Sequence, residues 1–486
     1  YHVSMPAPNS HLYEIEAFFP AHTENLQVSL PVWTPGSYLI REYARHVQGF
    51  EAFNVSGERL LVQRVDKRTF QVNAIAQPIR CRYRVYANEL TVRTSHLDNT
   101  HAYFNGATLF YYVESLRNQQ HRVRVDAPPG WQTFVALDNV AGEFVANNYD
   151  ELVDSPFEVG PHTPLEFTAS GVRHQVILWG EPQLDNTKLK DDLTRIIEAE
   201  ASIFGGLPMQ RYLFLLYATD KGRGGLEHCA STTLAYPRTG FSTPRGWEDF
   251  LTLCAHEYFH LWNVKRIVPA QLTPFDYGKE NHTELLWFFE GGTSYYDSLV
   301  VCRSGLMGAN RYLTRLGETI TSLHATPGRL VLSLVDASFL AWIKHYRPDE
   351  NSGNSAISYY LKGEVVCMLL DLAIRRATSG GASLDDVLRS LWSRAQHKIG
   401  VSEDEIERLI REIAGDSIAP YLQKGLRTTE ELDYSYFDDV GLSLKFRARE
   451  SSGDKGGTPP RNRSDRAQSY LGVVPKSGAS ISWIAS

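Results

Sequence analysis

The 486-residue sequence predicts an α+β protein in three parts, and three observations predict it. Short stretches of alternating apolar and charged residues, broken by turn residues, fill positions 1 to about 180. From about 181 to 440 the apolar residues recur with helical spacing, around one fully apolar strand. Beyond about 440 the chain turns polar, and its apolar pieces are short. The expected architecture is an N-terminal antiparallel β domain (1–180), a mixed and then mainly helical domain (181–440), and a partial C-terminal segment (441–486). A chain of this length exceeds one ordinary hydrophobic core, so several domains are expected.

The strands come first. His11 to Phe18 alternates over part of its length. Arg80 to Tyr86 alternates cleanly, with charge on one face and apolar groups on the other. Arg122 to Val125 repeats the pattern before the turn at Pro128-Pro129-Gly130, and Val176 to Trp179 reads as the strand that closes the set. The aromatic run from Tyr103 to Tyr112 reads as sheet packing rather than as a cleft wall. After Gly180 the period changes. Leu189, Leu193, Ile196, Ile197, Ala201 and Phe204 mark a helix, and Arg211 to Ala218 a buried strand. Residues 251 to about 425 are mainly helical, with capping-box starts at Ser383 and Ser402. Arg449 to Gln468 is rich in Ser, Gly, Pro and charge and reads as a linker.

Composition narrows the function. With 43% hydrophobic and 22% charged residues, the chain is of the soluble globular class. A net charge of −7 gives no reason to expect nucleic acid or an anionic membrane as partner. The best apolar run, Val365 to Ile374, is too short to span a bilayer and contains Asp371. The five cysteines are scattered and form no Cys-x-x-Cys pair, which favours reduced thiols and a cytoplasmic setting, with the periplasm as the alternative. Cys229 follows His228 directly, but a cysteine nucleophile there is the weaker reading beside the metal pattern described next.

That pattern is His256-Glu257-Tyr258-Phe259-His260, flanked by Leu251, Leu253, Leu261 and Trp262. Positions four apart on a helix share a face, so His256 and His260 can offer two imidazole nitrogens to one ion. Glu257 lies one step round, placed to handle a water without ligating the metal. Zinc is the usual ion for such a pair, and it needs a third protein ligand while keeping a fourth position open. Glu290 is the candidate: it is the one carboxylate in the apolar run Leu285 to Tyr296, and a buried acid there needs a partner. Glu284, six residues earlier, competes but reads better as a first-turn helix residue. His282 is the other conceivable ligand and reads as a surface residue.

These motifs carry a resemblance. His-Glu-Tyr-Phe-His followed by Trp262-Asn263-Val264-Lys265-Arg266-Ile267, then Phe289-Glu290-Gly291-Gly292-Thr293-Ser294-Tyr295-Tyr296, resembles the glycyl aminopeptidase family of zinc metallopeptidases. Trp33 to Arg45 near the N-terminus extends the resemblance over most of the chain. That family is related to aminopeptidase N and shares a thermolysin-like catalytic domain. The resemblance implies one zinc ion per chain on His256, His260 and Glu290, with Glu257 as general base. Gly224-Gly225-Leu226-Glu227 looks like the relatives' Gly-x-Met-Glu-Asn motif, with Leu226 for Met and His228 for Asn. There a strand edge holds the peptide and the glutamate pairs with its α-amino group, which implies Gly224, Gly225 and Glu227 as substrate-binding residues. Tyr360, in Tyr360-Leu361-Lys362-Gly363, matches the tyrosine that stabilises the oxyanion, while Tyr359 is one step out of register.

The implied activity is removal of N-terminal residues, small ones such as Gly and Ala, from peptides with a free N-terminus. A zinc endopeptidase on the same site and a non-catalytic peptide-binding protein are the alternatives. The family often carries a C-terminal PDZ domain. Gly441 to Leu444 and Tyr470 to Val473 are the expected opening strands of an incomplete PDZ-like segment.

Overall fold

The structure is a computed structural model; it describes residues 1–21, 25–73, 76, 78–397, 400–451 and 453–458, and the backbone of 473–475 and 481–484. Contacts divide the chain into two compact units. The first comprises Tyr1–Lys190, Pro208–Phe250 and Phe275–Glu280; the second comprises Asp191–Leu207, Leu251–Pro274 and Asn281–Ser486.

The first unit is built from sheets. A seven-stranded sheet runs in the order Asp138–Val140, Glu143–Ala146, His121–Asp126, His2–Ser4, Leu12–Phe19, Ile79–Tyr86, Val47–Phe53. Ile79–Tyr86 shows how the sequence places it: Ile79, Cys81, Tyr83 and Val85 are buried, and Arg82, Arg84 and Tyr86 face out. The sheet is not wholly antiparallel as expected, because His2–Ser4 pairs parallel with His121–Asp126. A four-stranded and a three-stranded sheet complete this β part, all antiparallel. Tyr103, Phe104, Phe110, Tyr111 and Tyr112 are all core residues, as the packing reading of that run expects.

A fourth strand group, of five strands, corrects the sequence reading. Val172–Trp179 does not close the N-terminal set. It pairs parallel with Arg211–Thr219, which pairs parallel with Ser231–Pro237. Leu165–Ala169 and Gly224–Glu227 form the two antiparallel edges of this mixed five-stranded sheet. Arg211–Thr219 is central and buried along nearly its whole length, which is why it reads as a continuous apolar run without alternation.

The same unit contains a buried ionic knot that sequence reasoning missed. Glu158, 1% exposed, accepts hydrogen bonds on one oxygen from His101 Nδ1 (2.8 Å) and His162 Nε2 (2.6 Å), and on the other from the Tyr217 hydroxyl (2.8 Å). Burial pushes the Glu158 carboxyl up, but His101 and His162 outweigh it and hold it below the ordinary carboxylate range. His101 also stacks on Trp179, with ring centres 4.5 Å apart.

The second unit is mainly helical. The helix Tyr359–Ala377 is buried along most of its length, which explains an apolar run that is nonetheless too short for a membrane. Among the described residues no helix is long and apolar enough to cross one. Leu384–Ala395 and Glu403–Ala414 begin with reciprocal capping boxes at Ser383/Asp386 and Ser402/Glu405, as their sequences predict. Gly441 follows the short helix Tyr434–Val440 in a left-handed conformation, and Leu442 to Leu444 form no strand, contrary to the expectation for that stretch. Tyr470 to Gly472 lie outside the described residues. Val473–Pro475 and Ile481–Ile484 pair antiparallel.

Candidate metal centre

The metal motif sits at the end of the helix Pro244–Phe259. Its start is specified locally, with Pro244 at the first position and the Thr243 hydroxyl accepting from Gly246 N at 3.0 Å. Phe259 is its last residue, so His260 stands in the turn just beyond it rather than inside the helix. The His260 amide still donates to the His256 carbonyl at 3.4 Å, and the two imidazoles remain neighbours, with ring centres 4.7 Å apart. The chain then turns sharply through Asn263 and Val264. Val264 is held at φ +136°, a conformation that costs about 1–3 kcal/mol for a non-glycine residue.

This turn orients His260. The Asn263 carbonyl accepts from His260 Nδ1 at 2.8 Å, which turns Nε2 toward Glu290. The Asn263 side-chain amide donates to the carbonyls of Phe288 (3.2 Å) and Phe289 (3.4 Å) and to the Thr293 hydroxyl (3.1 Å). One asparagine therefore ties the segment carrying the histidines to the segment carrying Glu290. Rings brace the two further: Phe259 stacks on Tyr296, with centres 4.8 Å apart.

Glu290 lies in a π-helical turn, Trp287–Gly292, that runs into the helix Thr293–Arg303. Such turns recur at functional positions because they re-aim a side chain within an otherwise regular helix. Glu290 is 2% exposed. Its Oε2 is 3.5 Å from His256 Nε2 and 3.3 Å from His260 Nε2. Metal–ligand bonds of about 2.0–2.2 Å at tetrahedral angles place donor atoms about 3.3–3.6 Å apart, so this spacing fits a zinc ion. The knot at Glu158 has the same donor types but closes to 2.6–2.8 Å, the spacing of direct hydrogen bonds.

Charge at the centre is strongly redistributed. Burial opposes a charge on His256, but hydrogen bonds to Asp297 and Glu290 and the charge of Glu257 hold its imidazole well above the usual range. Burial likewise raises Glu290, yet His260 and His256 pull its carboxyl far below the ordinary value. The site is built to concentrate positive charge against a buried carboxylate, which a divalent cation does better than two protons.

Other residues singled out in the sequence fall as follows. Glu257 is 5% exposed and adjoins His256. Tyr360 is the second residue of its helix, with its ring 6.2 Å from that of His256; Tyr359 beside it is wholly buried. The helices carrying Glu290 and Tyr360 cross at Gly291 and Gly363, where the backbones nearly touch: a Cβ on Gly291 would lie 2.5 Å from the Gly363 Cα. Glu284 and His282 stand outside the metal trio; the Glu284 amide donates to Glu403 and the His282 ring stacks on Phe339. In the first unit, Gly224–Glu227 is the edge strand described above, and Arg93 donates to the Gly225 carbonyl at 3.1 Å. Glu227 is 5% exposed, and among the described residues its carboxylate has no hydrogen-bond or ion-pair partner. Asp154 accepts from both His228 and the Cys229 amide, so that pair is engaged structurally.

Asp297 was missed in the sequence. Its Oδ2 lies 3.4 Å from His256 Nδ1, where it orients the ring. The signal was available: it follows Glu290 by seven residues, two turns along, and so shares its face.

Comparison with known proteins places this geometry. A model of the M61 peptidase N-terminal domain matches residues 1–161, and one of M61 glycyl aminopeptidase matches residues 249–366. The crystal structure of an aminopeptidase N family protein from Idiomarina loihiensis is 32% identical, with a TM-score of 0.91, over 95% of this chain and 81% of that one. The chain belongs to the M61 glycyl aminopeptidase family. It is a hydrolase, an aminopeptidase. Its fold extends to more distant proteins. An M1 zinc metallopeptidase from Deinococcus radiodurans is 13% identical, with a TM-score of 0.57 over 89% of this chain and 94% of that one. Yeast LTA4 hydrolase in complex with bestatin is also 13% identical, with a TM-score of 0.55 over 89% of this chain and 67% of that one. Among curated proteins no match was found.

Proposed function

We propose that this aminopeptidase removes small N-terminal residues, glycine and alanine, from unblocked peptides, using one zinc ion held by His256, His260 and Glu290. The observation that carries the reading is the closure of one carboxylate oxygen on two imidazole nitrogens at 3.3 and 3.5 Å. A zinc ion held there would serve as a Lewis acid toward the scissile carbonyl and would lower the pKa of a water. Glu257 takes the proton from that water and delivers it to the leaving amine. Tyr360 donates its hydroxyl proton in a hydrogen bond to the oxyanion, where charge develops and such donors act most strongly. Asp297 and the Asn263 carbonyl hold the two imidazoles in the orientation that presents Nε2.

Glu227 supplies the exopeptidase register. Glu227 is 5% exposed and makes no hydrogen bond or ion pair among the described residues, and the α-ammonium of a peptide would give it a charged partner. Gly224 and Gly225 give the edge strand a bare backbone along which the peptide adds, and they favour a small first residue. An endopeptidase would have no use for this unpartnered acid.

The test is Glu257→Gln. Turnover of a glycyl or alanyl amide should fall by at least about 10³-fold. Zinc content by elemental analysis should stay at one per chain, since Glu257 is not a ligand. Full activity in that variant would remove the proposed base. Equal cleavage of N-acetylated and free peptides by the unaltered enzyme would favour the endopeptidase.

A further inference from the structure

The Trp33-Thr34-Pro35-Gly36-Ser37-Tyr38 stretch has no part in the function so far, yet the structure anchors it firmly. The Ser37 amide donates to the Thr34 carbonyl at 3.1 Å, closing a tight turn. Arg41 donates to the Ser37 hydroxyl at 2.8 Å, and Trp33 Nε1 donates to the Asp276 carbonyl at 2.8 Å. Trp33, Thr34, Ser37 and Tyr38 are all buried. Gly36 takes φ +86°, which favours glycine in the turn. A second constraint is independent of φ. A Cβ built on Gly36 would lie 2.6 Å from Glu227 Oε1, 2.8 Å from Glu227 Oε2 and 2.7 Å from Leu226 Cδ1. Both oxygens of the unpartnered carboxylate thus lie against the bare face of this one glycine.

We propose that the Thr34–Ser37 turn is part of the amine-recognition site, with Gly36 as a specificity-determining positioning residue that fixes where the Glu227 carboxylate lies. The inference rests on the reading of Glu227 as the partner of the substrate's α-ammonium. Its physical content is simple. The atoms a Cβ would strike are the ends of two flexible side chains, so added bulk displaces the carboxylate rather than breaking the turn. An ammonium–carboxylate hydrogen bond is strong only at about 2.7–2.9 Å. A carboxylate pushed aside therefore loses selection for a free amine before the protein loses stability.

The experiment compares Gly36→Ala with Gly49→Ala in the zinc-loaded full chain. Gly49 also has positive φ (+64°), but nothing lies within 4 Å of its Cβ position, so it isolates the cost of the backbone conformation. Each variant is assayed on an alanyl amide and on the matching propionyl amide, which lacks only the amine. Gly36→Ala should lower kcat/KM on the alanyl substrate roughly 10- to 100-fold, with the propionyl rate unchanged. Its unfolding midpoint should match that of Gly49→Ala. Gly36→Asn adds the same Cβ in a residue that tolerates positive φ and should behave alike, which covers the case of poor folding. Retention of the wild-type ratio between the two substrates in both Gly36 variants overturns the proposal. Glu227→Gln is the separate arm. It should abolish the preference for the alanyl substrate, and if it does not, the reading of Glu227 fails whatever the Gly36 variants do.

Discussion

Replacing Gly291 by alanine tests whether the helix crossing sets the active-site geometry. Gly291 adjoins Glu290, and Gly363 lies one turn beyond Tyr360. The added Cβ would stand 2.5 Å from the Gly363 Cα, 2.7 Å from its carbonyl carbon and 2.8 Å from the Tyr359 carbonyl oxygen. Ordinary contact begins at 3.4 Å, so the crossing must open by about 0.9 Å, and every atom in the way is backbone. Overpacking of this kind costs about 1–3 kcal/mol, and alanine's better helix propensity returns about 1 kcal/mol. The net loss of stability is therefore small, about 0–2 kcal/mol. Activity should suffer more, because the same movement shifts Tyr360 against Glu290, and a displacement of about 1 Å costs on the order of 10²-fold. The neighbouring Gly292 is the control. Its Cβ would meet only the Cys367 Sγ at 3.6 Å, so Gly292→Ala should keep full activity. Both variants would be assayed for kcat/KM on an alanyl amide and for their thermal midpoints. If Gly291→Ala matched Gly292→Ala within about twofold in rate, the crossing would not be what sets the site.

Two further outcomes follow from buried charge. Asp297→Ala removes the group that orients His256 and should weaken zinc about 10- to 100-fold in a chelator competition, with the fold intact by circular dichroism; unchanged affinity would exclude Asp297 from the centre. Glu158 has its carboxyl pKa lowered in the folded state, so its contribution is present above the unfolded value of 4.5 and is lost as pH falls through the lower folded value. Glu158→Gln should therefore reduce stability to urea at pH 7 by about 1–3 kcal/mol and reduce it less below pH 4; an equal loss at both pH values would show that the knot is not ionic.

Much of this was legible because it is local. Alternation over Arg80 to Tyr86, the capping boxes at Ser383 and Ser402, and the helical spacing before Phe204 all depend on residues within one element. The misplaced strand was Val172–Trp179, where the sequence specifies an extended segment but not its partner. Strand pairing is settled by burial against distant residues, and a short apolar strand is compatible with either sheet. The strand expected at Gly441 to Leu444 does not form because Gly441 is itself left-handed and closes the short helix Tyr434–Val440.

By itself the sequence pointed to the candidate metal site, because a spacing of four residues keeps His256 and His260 neighbours even though His260 falls in the turn just beyond the helix. It also pointed to Glu290, since an acid in an apolar run needs a partner. Only the tertiary structure decided how close Glu290 comes to the histidines, that Asn263 and Asp297 orient them, that Gly291 meets Gly363, and that Gly36 lies under Glu227. The reason is common to all four. Each is a contact between chain segments whose separation no periodicity encodes, and each is held to tenths of an ångström by packing from several sides.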